Sequence, residues 1–296
     1  METVNSLNSR TNSTEEHTLS CMEVWGGNRS ADLKVRTIGL DAFLHSKPHG
    51  SKNDVGGDVY YLSSCASGNI TRVLLADVAG HGAEVASIAK DLRDLMRRNV
   101  NRISHTSILK ELNQGFEQLT DIGDFATALV FSFFALTNKL TISNAGHPSP
   151  LIYHSSESTW SILDERIELR SEQLIDAPLG VEPATQYSNH TIPVGSGDMV
   201  LCFSDGVTEI MCEDNTLLGY DRLLGIVRKI PPDEPGEFVQ ALLRSLEDMA
   251  ATSLNMAEDD LTIVVLSARP TGRTSALIRV LRAPGNYLRS RFSKNI

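Results

Sequence analysis

The sequence is short of cysteine, of long apolar runs and of basic residues, and each shortage removes a class of function. Its four cysteines (Cys21, Cys65, Cys202 and Cys212) are scattered and form no CxxC pair, so neither a thiolate zinc site nor a disulfide framework is expected. The longest apolar stretch, Phe125–Leu136, is interrupted by Thr127 and Ser132 and is too short to span a bilayer. Met1-Glu2-Thr3 opens a polar segment with neither a basic n-region nor an apolar h-region, so no signal peptide is expected and the expected compartment is the cytoplasm. Lys plus Arg total 27 against 37 Asp plus Glu, and a net charge of −10 argues against nucleic acid as the main partner. No Ser, Cys or Lys stands in a setting that would activate it as a nucleophile, which leaves direct attack by water as the economical hydrolytic route.

What is present is material for one large core, with 41% hydrophobic residues and no internal repeat or long linker. The reading divides the chain into an N-terminal segment 1–32, largely disordered, a single domain over 33–268 and a basic tail over 269–296. Residues 1–20 are rich in Ser, Thr, Asn and Glu, and Met22–Asn28 is a short apolar patch that can dock back on the domain. Leu33–Leu44 reads as one strand, Val55–Leu62 as a second and the run from Ile70 as a third. Val85, Ile88, Ala89, Leu92, Leu95 and Met96 form one apolar helix face, and Ile108, Leu112, Phe116 and Leu119 mark another. Phe125–Leu136 reads as a central strand paired with Lys139–Asn144. Short strands follow at Leu151–Tyr153, Trp160–Leu163, near Gln186–Ile192 and at Met199–Phe203. Helices at Tyr220–Ile230 and around Phe238–Met249 then precede the last strand, Leu261–Leu266. Hairpins on both sides of the helices indicate packed antiparallel sheets flanked by helices rather than a repeating βα pattern.

Four acidic positions punctuate this pattern: Asp58 after Gly56-Gly57, Asp77 at the end of Ile70–Val78, Asp205 before Gly206, and the pair Asp259-Asp260 ahead of the last strand. A strand that delivers an acid to a glycine turn holds the carboxylate rigidly and leaves the adjacent backbone open to a ligand. Any one of them alone would be read as a turn aspartate accepting hydrogen bonds from nearby amides. The repetition of an apolar strand, an acid and a glycine at Leu74–Gly80 and Val200–Gly206 favours convergence. Carboxylates that close cannot all ionise unless cations neutralise them. Oxygen-only ligation suits Mg²⁺ or Mn²⁺, and two such ions about 4 Å apart can activate water for displacement at phosphorus.

In chain order, Gly56-Gly57-Asp58-Val-Tyr60, Asp77-Val-Ala-Gly80-His81-Gly82, Asn144-Ala-Gly-His147-Pro, Ser204-Asp205-Gly206-Val-Thr-Glu209 and Asp259-Asp260-Leu-Thr262 resemble the PPM family. These are metal-dependent Ser/Thr protein phosphatases, and the resemblance is to their bacterial SpoIIE-like branch over roughly residues 33–268. It implies an α+β fold, an αββα sandwich of two mainly antiparallel sheets flanked by helices, with two Mn²⁺ or Mg²⁺ between the sheets. By that resemblance Asp77 bridges both ions, the Val78 carbonyl ligates the second, and Asp205 and Asp259 complete the shell of the first. Asp58 and Asp77 are then the catalytic acids, Asp58 acting through the metal-bound waters. Asp260 is the lesser ligand of its pair, Thr262 supports that strand entry, and Gly57, Gly80 and Gly206 supply close backbone approaches.

The departures are local. Tyr61 stands where the branch often carries an Asp, and Ala79 where eukaryotic members carry a histidine two residues after the bridging acid. His81 suits capping of the helix start more than general acid catalysis, and His147 suits holding its loop by hydrogen bonds. No arginine is clearly placed for a substrate phosphate; Arg36 and Arg72 are candidates, with nothing in the sequence selecting either. The tail from Arg269 carries seven basic residues and no acid; a solvated tail is favoured over a membrane contact.

The expected activity is hydrolysis of phosphoserine or phosphothreonine on a regulatory protein. The resemblance implies an anti-anti-sigma (STAS) substrate in a partner-switching circuit that regulates a sigma factor, with an activating partner protein. The alternatives are a non-catalytic relative that binds phosphoproteins and, less favoured, a metal-dependent phosphodiesterase or nuclease.

Overall fold

The computed structural model describes residues 15–19, 24–49, 55–66, 68–80, 82–100, 102–120, 123–163, 175–251, 254 and 259–269. Among these, thirteen strands form two sheets. The six-stranded sheet has the order β11 (His190–Pro193), β8 (Lys139–Ala145), β7 (Ala126–Phe134), β6 (Ile70–Val78), β5 (Val55–Cys65), β2 (Val24–Arg29). The seven-stranded sheet runs β1 (Glu15–Thr18), β3 (Ala31–Thr37), β4 (Leu40–Lys47), β13 (Leu261–Ala268), β12 (Met199–Phe203), β9 (Leu151–His154), β10 (Thr159–Ile162). Neighbours pair antiparallel except β1 with β3. Helices α1 (Ala83–Asn99) and α2 (His105–Glu117) cover the first sheet, and α3 (Asp205–Thr208), α4 (Gly219–Val227) and α5 (Pro235–Met249) pack against the second.

Alternation along the central strands builds three apolar layers. Leu62, Val73, Leu75, Leu129 and Phe131 from one sheet meet Val35, Leu44, Val200 and Val264 from the other. The intervening residues Tyr61, Leu74 and Val130 face outward onto Leu92, Met96 and Leu112 of α1 and α2. Phe203, Ile263 and Val265 do the same toward Leu223, Phe238 and Leu242. Strands buried on both faces need side chains that are apolar in both registers, which explains why β6 and β7 read as continuous hydrophobic runs. The result is an αββα sandwich, as the sequence pattern and the family resemblance implied.

Two features differ from the sequence reading. Leu33–Leu44 is not one strand: the chain reverses at Ile38-Gly39, Gly39 taking φ +74°, and Thr37 pairs with Leu40. Apolar residues on both sides of that turn hide it from a hydropathy pattern. The sheets also begin before residue 33. Glu15–Thr18 pairs with β3, and Val24–Arg29 pairs with β5 across Gly26 and Gly27, where a Cβ on Gly26 would lie 2.1 Å from the Tyr61 ring. Residues 1–14, the basic tail beyond Arg269 and His81 lie outside the described residues. Among the described residues no helix is long and apolar enough to cross a membrane.

Candidate metal centre and active site

The site is built where strand ends of the two sheets face each other. In the six-stranded sheet Asp58 and Asp77 are register partners on β5 and β6. Directly opposed residues on antiparallel strands share a face, and the alternation continues to Leu75 in the core between the sheets, so both carboxylates point into the gap. After Val78 the chain leaves the sheet, Ala79 N–H donating to the Phe125 carbonyl at 3.0 Å. Gly80 and Gly82, at φ +101° and +102°, then turn it into α1. The Val78 carbonyl sits beside Gly57, where a Cβ would stand 3.1 Å from its oxygen.

In the seven-stranded sheet, β12 ends at Phe203 and passes through Ser204 into the single turn of α3, which carries Asp205. Asp259 lies just ahead of β13. Carboxylate oxygens of Asp205, Glu209 and Asp259 all lie within 4.8 Å of one another. Glu209 lies in the Ser204–Glu209 motif without a role that the sequence assigns; its spacing of four from Asp205, one helical turn, is the signal that could find it.

Asp260 does different work from its neighbour. Its carboxylate accepts the backbone N–H of Asp58 at 3.0 Å and of His49 at 2.5 Å, tying the entry of β13 to the start of β5 in the other sheet. Two glycines make this approach possible. A Cβ on Gly56 would fall 2.1 Å from Asp260 Oδ2, and one on Gly206 would fall 2.1 Å from the Asp260 carbonyl oxygen. The backbone N–H of Asp260 donates to Asp259 Oδ1 at 2.8 Å. Ser204 completes the splice: its Oγ accepts Thr262 N–H at 2.9 Å and donates to the Asp260 carbonyl at 3.4 Å. Thr262 Oγ in turn donates to Ser46 Oγ at 3.1 Å.

The electrostatics follow from this crowding. Burial and then the Asp260 charge push Asp58 up to about 8, with the Thr262 and Ser204 hydroxyls opposing. Asp77 is raised well above the ordinary carboxylate range by burial, then by Asp58 and Asp205. Burial first, with Asp205, Asp260 and Glu209 adding, lifts Asp259 to about 6 against the Asp260 N–H. Asp58 is buried, and its Oδ2 makes no hydrogen bond. Acids that repel one another, with one buried oxygen left without a partner, fit a divalent cation site, because a cation supplies both the missing partner and the neutralising charge.

Of the residues selected from sequence, Asp58 and Asp77 stand side by side, Asp205 and Asp259 come together across from them, and Gly57, Gly206 and Asp260 border both. The arginines do not join them. Arg72 is fully buried, donating from Nε to Ser132 Oγ at 2.9 Å and from Nη1 to the Val100 and Arg102 carbonyls, so it braces the α1–α2 connection. Arg36 pairs with Asp41 at 3.2 Å. Tyr61 lies in the outer layer against the helices. His147 is buried, its Nδ1 2.8 Å from Thr127 Oγ, and Asn144 spans its backbone in both directions.

Comparison with known proteins identifies the family. The family described as stage II sporulation protein E (SpoIIE) matches residues 67–269. Phosphoserine phosphatase RsbU of Bacillus subtilis is 28% identical over 214 residues, 72% of this chain and 59% of that protein. Phosphoserine phosphatase RsbP of the same organism is 21% identical over 67% of this chain and 46% of its own length. The chain thus spans about half the length of these curated relatives. The SiaA-PP2C domain of Pseudomonas aeruginosa superposes with a TM-score of 0.63 at 18% identity, covering 76% of this chain and 85% of that one, which shows the shared fold. With a family match over more than half its length and a PP2C-type sandwich, the chain belongs to the SpoIIE-like branch of the PPM phosphatases.

Proposed function

We propose that the chain is a metal-dependent phosphatase that hydrolyses a serine or threonine phosphate on a regulatory protein. The observation that carries this reading is the pair of facing acid groups: Asp58 and Asp77 in register on one sheet, and Asp205 and Asp259 on the other. Asp77 would bridge two Mn²⁺ or Mg²⁺ ions, with Asp205 and Asp259 on one ion and the Val78 carbonyl on the other. When bound, the ions supply charge for the phosphoryl oxygens and a lower pKa for water.

The chain's own residues position and exclude. Asp58 offers its free Oδ2 to orient the attacking water, and its backbone is held in place by Asp260. Ser204, the hydroxyl at this junction, serves the splice to Thr262 and Asp260 and sits beside Asp58. Water attacks phosphorus in line with the departing serine or threonine oxygen, breaking the P–O ester bond, and the alkoxide takes up a proton.

The names of RsbU and RsbP describe phosphoserine phosphatases. That supports a phosphoprotein substrate here, and we extend it to a phosphorylated STAS-type anti-anti-sigma protein in a partner-switching circuit, with a partner protein as activator. The test is phosphate release from para-nitrophenyl phosphate and a phosphoserine peptide, with Mn²⁺, Mg²⁺ or EDTA, for the wild type and Asp77→Asn. Turnover that needs metal and vanishes in the variant supports the reading. Phosphopeptide binding by the folded protein without turnover under any metal would replace it with the non-catalytic binding module.

A further inference from the structure

The inward-facing row on the six-stranded sheet does not stop at the two acids. Asp77 is in register with Thr127 on β7, as it is with Asp58 on β5. Leu75 and Leu129, two residues along each strand, lie in the core between the sheets, so Thr127 faces the same gap as Asp58 and Asp77. Thr127 Oγ lies 2.8 Å from His147 Nδ1. The histidine is fixed from behind: its N–H donates to Asn144 Oδ1 at 2.8 Å, and its carbonyl accepts Asn144 Nδ2 at 2.9 Å. Its neighbour Gly146 bridges to Ala128. The residue is 5% exposed, and Nε2 makes no hydrogen bond. Burial keeps the ring neutral, at about 3, while the Phe203 backbone, which leads into Asp205, favours a proton on it.

A buried imidazole with one open nitrogen is costly, and holding the loop does not require it, because Asn144 already spans the loop backbone. We propose that Thr127 is a positioning residue of the metal centre, its hydroxyl aimed by His147. The proposal rests on the phosphatase reading for the identity of that centre. With the ring neutral and its proton on Nε2, Nδ1 is an acceptor and Thr127 donates to it. The Thr127 oxygen then presents only lone pairs beside Asp77. A hydroxyl donating to Asp77 would draw charge away from that carboxylate; one committed to His147 leaves both Asp77 oxygens for cations and accepts a hydrogen from a nearby water. His147 thereby ties the loop after β8 to the Thr127 hydroxyl on β7.

The test uses the full chain with Thr127→Val, Thr127→Ser, His147→Gln and the Val/Gln double variant, reading Mn²⁺ affinity by titration calorimetry together with kcat and KM on para-nitrophenyl phosphate. Orienting partners around metal sites typically carry about 10–100-fold in affinity or activity. Thr127→Val should lose that much in kcat with KM within about 2-fold, and weaken Mn²⁺ binding about tenfold, while Thr127→Ser recovers most of both. His147→Gln should lose a similar amount alone and less than about 2-fold more in the Val background, because the two act as one unit. Unchanged kcat and Mn²⁺ affinity in Thr127→Val would overturn the proposal, as would single losses that multiply in the double variant. If the wild type bound Mn²⁺ but had no turnover, the phosphatase reading would fail alone, and the calorimetric cycle would still decide on Thr127. Should the Val variant not fold, the ¹⁵N resonances of His147 in the wild type decide: an Nε2-protonated ring is expected, and an Nδ1-protonated ring overturns the proposal.

Discussion

At the rim of the six-stranded sheet, Asp58 and Asp77 project from adjacent strands that are buried on both faces, and Asp58 is 4% exposed. At the opposing rim, Asp205 and Glu209 sit on a four-residue helix and its end, Asp259 on a strand entry, and Glu209 is exposed. Five acids of similar chemistry thus stand in two mechanical settings. Strand-borne acids can neither reach solvent nor relax away from each other, so burial first and repulsion second raise their pKa values. The other rim is more open to solvent, and Asp259 there is lifted less far, to about 6.

The largest expected effect removes the rigid wall's charge. Asp77→Asn should lower Mn²⁺-dependent turnover by roughly 1,000-fold or more, since on the proposed reading Asp77 would serve both ions. The same change should leave the metal-free fold intact or raise its Tm, because it relieves like-charge pressure. A lowered Tm in EDTA would show that the wall is not under repulsion.

Acidity offers a second way to probe the contrast. Asp58 and Asp259 have folded values of about 8 and about 6, above the ordinary carboxylate range they return to on unfolding. The folded state therefore binds more protons between about pH 4 and pH 8, and metal-free stability falls as pH rises through that window. Tm in EDTA should drop by roughly 5 °C or more from pH 5 to pH 8, and saturating Mn²⁺ should reverse the slope. A flat profile in EDTA would break the comparison.

The seam between the walls comes next. Gly206→Ala places a Cβ 2.1 Å from the Asp260 backbone oxygen, and should cost about 2–3 kcal/mol by urea unfolding with a loss of activity. Asp260→Asn cannot serve both the His49 and Asp58 amides with acceptor oxygens, and should cost about 1.5–3 kcal/mol. If Asp260 were a metal ligand rather than a tie, this variant would instead lose Mn²⁺ affinity with unchanged apo stability.

The smallest effect belongs to the open wall. Glu209→Gln should weaken Mn²⁺ binding by only about 3- to 10-fold, and by less than Asp259→Asn, because an exposed carboxylate is partly replaced by solvent. Equal losses for the two would make the open rim as rigid as the closed one.

Much of this was legible before any coordinates. Packed antiparallel sheets flanked by helices follow from hairpins on both sides of the helices, the αββα order from the family resemblance, and Asp58, Asp77, Asp205 and Asp259 were each marked by a glycine or a second acid at a strand end. The reversal at Ile38-Gly39 was not legible, because apolar residues flank it on both sides. Neither was the early start of the sheets: Met22–Asn28 reads only as a short apolar patch docking on the domain, yet Gly26 is what lets β2 lie against Tyr61. Arg72 was read as a possible phosphate ligand; its β-strand setting does not reveal which face it takes, and it faces the helices.

By itself, then, the order of residues determined the layers, the acids and the glycines beside them, because periodicity and turn chemistry are local. Tertiary structure decided how the two acids of Asp259-Asp260 divide their roles, that Glu209 joins the open wall, and that Thr127 and His147 stand in line with Asp77. Those assignments depend on which backbone amides and strands lie opposite across the sandwich, and residues such as Asp58 and Asp260, 202 positions apart, meet only when the sheets close.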